Sequence, residues 1–240
     1  VNAVALLARL TEDPRAAAIL LDVDGTLAPI VARPEDARVP DRTKAVLASL
    51  VGRYGLVACL SGRPGDDAAR VVGVEGVRYV GEHGLELEPE AEAWAERLAA
   101  FARSVTWPSE RGKRLSLSFH YREAADTDTD AAEAELRDVA ERAREEGLRP
   151  RWGRCVLEIR PPLDADKGTA VRRLLAEASI GRALYAGDDA TDADAFDGLD
   201  GLDVAVRVAV DSDEAPRTLL VAADMSVDGP QALVELLEGL

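Results

Sequence analysis

The sequence predicts an α/β protein: a Rossmann-like doubly wound parallel sheet with an inserted α+β cap domain. Three observations carry this. Short apolar runs (Ala16 to Val23, Gly55 to Leu60, Ala183 to Ala186) end in polar, glycine-bearing segments, as buried parallel strands do when they deliver side chains at their carboxyl ends. Helical periodicity separates these runs, so strand and helix alternate. The alternation breaks after Gly84 and resumes near Lys167. At 240 residues the chain fits one large domain or two modest ones, because a single core stops growing near about 250 residues. Residues 1–84 and 163–240 are therefore read as one discontinuous core, and 85–162 as the insertion.

The elements follow in order. Ala16 to Val23 gives a first strand ending at Asp22-Val23-Asp24-Gly25-Thr26. Asp41 to Leu50 reads as a helix, Gly55 to Leu60 as a second strand and Arg78 to Gly81 as a third. Within the insertion, a Glu/Ala-rich helix covers about 90–104, with no chemistry assigned to it. Leu115 to Tyr121 alternates apolar with polar, which predicts a strand with one open face. Asp130 to Glu146 carries Leu136, Val139, Ala140 and Ala143 at helical spacing, with Asp130 and Glu133 at its expected N-terminal cap. A strand from Arg154 to Arg160 closes the insertion. The core then resumes with a helix presenting Val171, Leu174, Leu175 and Ala178, and the strand Ala183 to Ala186. Further strands are expected at Leu202 to Val208 and Leu219 to Val221, and a terminal helix near Pro230.

Forty-five acidic against 29 basic residues give a net charge of -16, which argues against nucleic acid and anionic membranes as partners. A small phosphorylated substrate is compatible, since a bound cation and a few placed Lys or Arg residues can invert the potential inside one cleft. Cys59 and Cys155 are read as buried thiols of a reducing compartment. The sequence shows no leader pattern and no uninterrupted apolar stretch of about 18 residues, so a soluble cytoplasmic protein, monomeric by preference, is expected.

Four segments carry chemistry. Asp22 and Asp24 flank one residue after a buried strand, where both carboxylates can face a crevice at the sheet's carboxyl edge, and Gly25-Thr26 lets backbone amides approach an anion. Ser61-Gly62-Arg63 follows the second strand in the same way. Lys167-Gly168 opens a helix whose amides attract anions. The run Tyr185 to Phe196 packs Asp188, Asp189, Asp192 and Asp194 at a strand end. Hard oxygen ligands at that density suit Mg²⁺, while Asp194 and also Asp192 read equally as acids favoured by a helix N-terminus.

In this order the four segments resemble the motifs of the haloacid dehalogenase superfamily. More narrowly, LDVDGTLAP, SGR, GEHG, the strand from Lys113 to His120-Tyr121-Arg122, PLDADKG and GDDATDADAF resemble the trehalose-6-phosphate phosphatase family, from Leu21 to about Phe196. The resemblance implies Asp22 as nucleophile and Asp24 as general acid and base, with Mg²⁺ between the Asp22 carboxylate, the Asp24 carbonyl and Asp188, backed by Asp189 and Asp192. Gly25, Thr26, Ser61, Gly62 and Lys167 would hold the phosphoryl group. It implies sugar contacts from Lys113, His120, Arg122 and Glu158 in the cap, joined by Arg63 and His83 of the core; His83 reads equally as hinge packing. Where the family carries a glutamate shortly before Lys113 this chain has Gly112, and Glu110 is the nearest acid. The implied partner is a disaccharide phosphate, with a trehalose-6-phosphate synthase as a protein partner. The alternatives are a phosphatase for another sugar phosphate such as sucrose 6-phosphate, a sugar phosphomutase, or a noncatalytic regulatory domain. The last would be expected to lose Asp22, Asp24, Lys167 or Asp188, and all four are present.

Overall fold

The computed structural model describes residues 2–31, 33–107, 113–153, 155–212 and 215–240, with side chains for all of these except 34 and 122–130. The chain divides into two compact units, one formed by Val1–Gly84 with Ala165–Leu240 and the other by Leu85–Asp164.

The larger unit opens with α1 (Ala3–Thr11), capped by the Asn2 side chain, which accepts from the Val4 amide. β1 (Ala17–Leu21) is fully buried along its length, as its unbroken apolar sequence requires of a strand covered on both faces. α2 (Asp41–Arg53), β2 (Leu56–Leu60), α3 (Gly65–Val72) and β3 (Arg78–Val80) follow. In the smaller unit come α4 (Ala95–Ser104), β4 (Leu117–His120), α5 (Arg122–Glu145), β5 (Arg149–Gly153) and β6 (Val156–Arg160). The larger unit resumes with α6 (Lys167–Ala178), β7 (Arg182–Gly187), α7 (Ala190–Asp197), β8 (Val204–Asp211), α8 (Arg217–Ala222), β9 (Met225–Asp228) and α9 (Gly229–Glu238).

All pairings in the six-stranded sheet are parallel, in the order β3-β2-β1-β7-β8-β9. Strand order reverses between β1 and β7, which opens a crevice beyond the carboxyl ends of these two strands. Asp22 directly follows β1 and Asp188 directly follows β7, so the fold sets both carboxylates at that switch point. A buried cluster including Ile19, Leu21, Cys59, Leu184 and Val208 supports the sheet from beneath.

The smaller unit packs α4 and α5 on a three-stranded antiparallel sheet ordered β4-β6-β5. Leu98 and Phe101 meet Leu136, Val139, Phe119, Leu157 and Ile159 in its core. The other face of the sheet is polar, with Ser118, Glu158 and Arg151 in register across the strands.

Several expectations are corrected. Leu219 to Val221 belongs to α8, not a strand; a short apolar run fits either element, and Pro216 at the N-cap starts a helix here. The missing strand is β9, whose alternating burial matches its place at the sheet edge. α5 begins eight residues before Asp130, so Asp130 and Glu133 lie inside the helix rather than at its N-terminal cap. Ala178 is exposed at the end of α6. The β4 face predicted to be open is exposed only at His120: Ser116 and Ser118 are buried, and Lys113 donates to Ser118 Oγ and pairs with Glu158. Cys59 is buried, but Cys155 is half-buried with a left-handed φ of 53° just before β6. Among the described residues no helix is long and apolar enough to cross a membrane.

Candidate active site

The site is built from loops that leave β1, β2 and β7 and from the first turn of α6. Asp22 is 5% exposed and accepts from Lys167 Nζ at 2.6 Å through Oδ1. The same ammonium donates to Asp192 Oδ1, also at 2.6 Å. Lys167 is itself 2% exposed. Burial would lower its pKa, but the Asp192 and Asp22 carboxylates outweigh this and raise it, so the side chain is held as a cation.

Asp192 anchors the cluster. It is fully buried and takes four donors: Lys167, the Tyr185 hydroxyl at 2.7 Å, and the amides of Asp188 and Asp189, each at 2.9 Å on Oδ2. Asp192 does sit at the helix terminus, in the first turn of α7, where it and the N-cap residue Asp189 form a capping box; the Asp189 carboxylate also accepts from the Ala190 amide. The bonds of Asp192 to Lys167 and Tyr185 go beyond that role.

Asp188 accepts from Thr26 Oγ1 at 2.9 Å, so the turn after Asp24 holds the β7 carboxylate in place. Gly25 makes this approach possible. Its φ is +84°, and a Cβ there would lie 2.0 Å from Asp188 Oδ2. Burial, then the Asp192 charge, push Asp188 up to about 7, and burial also raises Asp22 well above the carboxylate range against the pull of Lys167.

Asp22, Asp188 and Asp192 bring carboxylate oxygens within 4.8 Å of one another. Three buried carboxylates face one buried ammonium, an acid-rich set of oxygen ligands whose crowding a divalent cation would relieve. With Asp192 already saturated by donors, Asp22 and Asp188 are the side chains suited to hold it.

Ser61 and its neighbours form the third wall. Ser61 is buried at the end of β2 and its Oγ accepts from the Arg63 amide at 3.1 Å. Arg63 makes a bidentate pair with Asp24, at 2.6 and 2.7 Å, and a further bond to Asp67 at 2.9 Å. His83 packs on this loop: its amide donates to the Ser61 carbonyl at 2.9 Å, and a Cβ at Gly62 would come within 2.6 Å of its Nε2. The His83 ring therefore covers Gly62 from the larger unit.

In the smaller unit Lys113 and Glu158 come together, with Lys113 Nζ 3.6 Å from Glu158 Oε1 and Arg160 Nε donating to Oε2 at 2.6 Å. His120 is exposed at the end of β4, on the same strand face as Ser118, with its carbonyl accepting from Trp107 Nε1. Arg122 opens α5 rather than extending the strand; its side chain, like Glu110 and Gly112, lies outside the described residues. Asp67, Tyr185 and Arg160 were not foreseen. Tyr185 abuts the acidic motif in sequence, and Asp67 stands four residues from Arg63 on α3, so both were within reach of a helix- and strand-spacing argument.

The trehalose-phosphatase family model matches residues 20–111 and 110–228. The chain belongs to this family. A trehalose-phosphate phosphatase of Mycobacterium marinum is 36% identical over 225 residues, covering 84% of this chain and 57% of that protein. A Mycobacterium tuberculosis protein described as an uncharacterized glycosyl hydrolase is 36% identical over 219 residues, covering 80% of this chain but 16% of its own length. The chain thus spans little more than half of the first relative, and the family domain also occurs within much longer proteins. Among solved structures, the C-terminal domain of the C. albicans trehalose-6-phosphate phosphatase has a TM-score of 0.75 at 24% identity, covering 100% of this chain and 98% of that one. At that identity the likeness speaks for the fold: a trehalose-phosphatase core with a parallel sheet and a separate antiparallel unit.

Proposed function

We propose that this chain hydrolyses trehalose 6-phosphate to trehalose and inorganic phosphate through an aspartyl-phosphate on Asp22. The observation that carries the reading is the Asp22–Lys167–Asp192 chain at the sheet's switch point, a buried carboxylate held by a buried cation, together with family membership.

Asp22 attacks phosphorus and the bond from phosphorus to the sugar oxygen breaks, the departing oxygen taking a proton from Asp24. Water then attacks the acyl phosphate and gives its proton to Asp24. The bond between phosphorus and the Asp22 oxygen breaks, restoring the carboxylate and releasing phosphate. Two easier steps replace one difficult one, and Asp24 serves as acid and then base. Lys167 keeps Asp22 oriented and offsets its charge, while Ser61 and the amides of the Gly25-Thr26 and Gly62 turns are assigned to the phosphoryl oxygens, in line with a transfer governed by positioning and electrostatics. Mg²⁺ held by Asp22, Asp188 and the Asp24 carbonyl would neutralise charge building on those oxygens. Lys113, His120 and Glu158 are assigned to sugar hydroxyls, since paired acid and base side chains suit a polyol.

Phosphate release from trehalose 6-phosphate, sucrose 6-phosphate, glucose 6-phosphate and p-nitrophenyl phosphate, with Mg²⁺ and with chelator, tests this. A preference for trehalose 6-phosphate on the order of a hundredfold in kcat/KM, about 2.7 kcal/mol, lost with chelator, is the expected result. Even hydrolysis of the panel would refute the sugar assignment, and no metal-dependent release would refute the phosphatase reading.

A further inference from the structure

The Arg63 side chain, expected on the sugar, is committed elsewhere. Its Nε and Nη2 donate to Oδ2 and Oδ1 of Asp24 at 2.6 and 2.7 Å, and its Nη1 donates to Asp67 on α3 at 2.9 Å. Asp67 is in turn bonded by Arg70. The backbone of Arg63 is fixed as well, its amide on Ser61 Oγ and its carbonyl accepting from the Glu82 amide at 2.8 Å. Arg63 is 8% exposed, whereas the Asp24 side chain is 37% exposed. A carboxylate that open, on a turn, would sample several rotamers. A planar fork engaging both of its oxygens fixes its plane and reach in a way a point charge would not.

We propose that Arg63 is a positioning residue, anchored through Asp67, that aims the Asp24 carboxylate at the leaving oxygen and makes no sugar contact of its own. The inference rests on the phosphatase reading above. It has a consequence that neither sugar binding nor simple packing shares. In the first step proton delivery matters in proportion to the basicity of the leaving oxygen, so release of a sugar alkoxide needs Asp24 in place while release of p-nitrophenolate, a far weaker base, hardly does; the second step, with Asp24 as base, is common to both substrates.

The experiment measures first-turnover release rates, kcat and KM of wild type, Arg63→Ala and Arg63→Lys on trehalose 6-phosphate and p-nitrophenyl phosphate, with thermal unfolding of each protein. Arg63→Ala is expected to lose on the order of a hundredfold in the first-turnover rate of sugar release, with KM and the first-turnover rate of p-nitrophenolate release held within about threefold. Arg63→Lys, which keeps the charge without the fork, should fall between and serves if the alanine variant does not fold. Added to Asp24→Asn, Arg63→Ala should cost nothing further on the sugar phosphate, because the group it positions is already gone. A raised KM with kcat retained would make Arg63 a sugar ligand and overturn the proposal. Equal losses in the first-turnover release rate on both substrates would also overturn it, as a structural effect. A wild type inactive on both substrates would refute the phosphatase reading before any variant was compared.

Discussion

Replacing Asp192 tests whether the acidic motif is held by hydrogen bonds or by charge. The charge terms nearly cancel. At an effective dielectric constant of about 20, attraction to Lys167 Nζ at 2.6 Å is about 6 kcal/mol. Repulsion from Asp22 and Asp188, whose oxygens lie within 4.8 Å, is at least about 3.5 kcal/mol each when both are ionised, so charge gives Asp192 little net hold. The three neutral donors therefore decide the outcome: the Tyr185 hydroxyl and the amides of Asp188 and Asp189. Alanine strands all three in a fully buried site, at about 1–1.5 kcal/mol each, so Asp192→Ala should cost about 4 kcal/mol. Asparagine keeps one acceptor oxygen and turns its NH₂ toward the remaining donors, and about 2 kcal/mol is expected. Urea unfolding in chelator, read as a shift in midpoint at constant slope, measures both. Asp197→Asn, an exposed change at the end of α7, is the control and should stay within about 0.5 kcal/mol. An Asp192→Asn protein as stable as wild type would refute the reasoning, since the neutral donors would then contribute nothing.

Other outcomes are equally specific. Asp188 is pushed up to about 7, so between the ordinary carboxylate range near 3.8 and pH 7 the folded, metal-free protein keeps a proton that the unfolded chain has released. This group's contribution is thus fully present in acid and is lost as pH rises through 7, where Mg²⁺ no longer competes with the proton. Mg²⁺ at a hundredfold excess over Kd should stabilise by about 2.7 kcal/mol at pH 8, roughly 5–10 °C in Tm, and by less at pH 5.5; an equal or larger shift at pH 5.5 would contradict this. Gly25→Ala, which drives a methyl group into Asp188 at a left-handed φ, should destabilise by 2 kcal/mol or more, roughly, and abolish the Mg²⁺ shift in Tm. Burial raises the Cys59 thiol far above its usual range, so native protein should show one fast thiol toward a disulfide reagent, Cys155, and a second only on unfolding. Two fast thiols would contradict the buried placement of Cys59.

The parallel core was legible because β1, β2 and β7 are unbroken apolar runs, each ending in the residues that reach the crevice. Edge strands were harder to read. β5 is spelled Arg-Pro-Arg-Trp-Gly, and only its edge position, with no further neighbour to donate to, tolerates the proline. The first turns of α5, rich in Asp, Thr and Glu, carry no apolar period, so the helix was legible only from Asp130 onward. Within the site the acid density of the fourth motif predicted a cation, but not the division of labour. Asp192 is saturated by a lysine 25 residues away and a tyrosine on the preceding strand, a closure that appears only when α6 and β7 pack together. The Arg63–Asp24 pair spans 39 residues and depends on β1 and β2 lying side by side, a register that no local spacing encodes.

The central claim is that Asp22 carries the phosphoryl group. Acid quench within the first turnover of trehalose 6-phosphate labelled at phosphorus, followed by peptide mapping, tests it most directly. The account predicts label on the peptide containing Asp22, and neither label nor turnover in a folded Asp22→Asn protein. Turnover without label on that peptide, or substantial activity in Asp22→Asn, would contradict it.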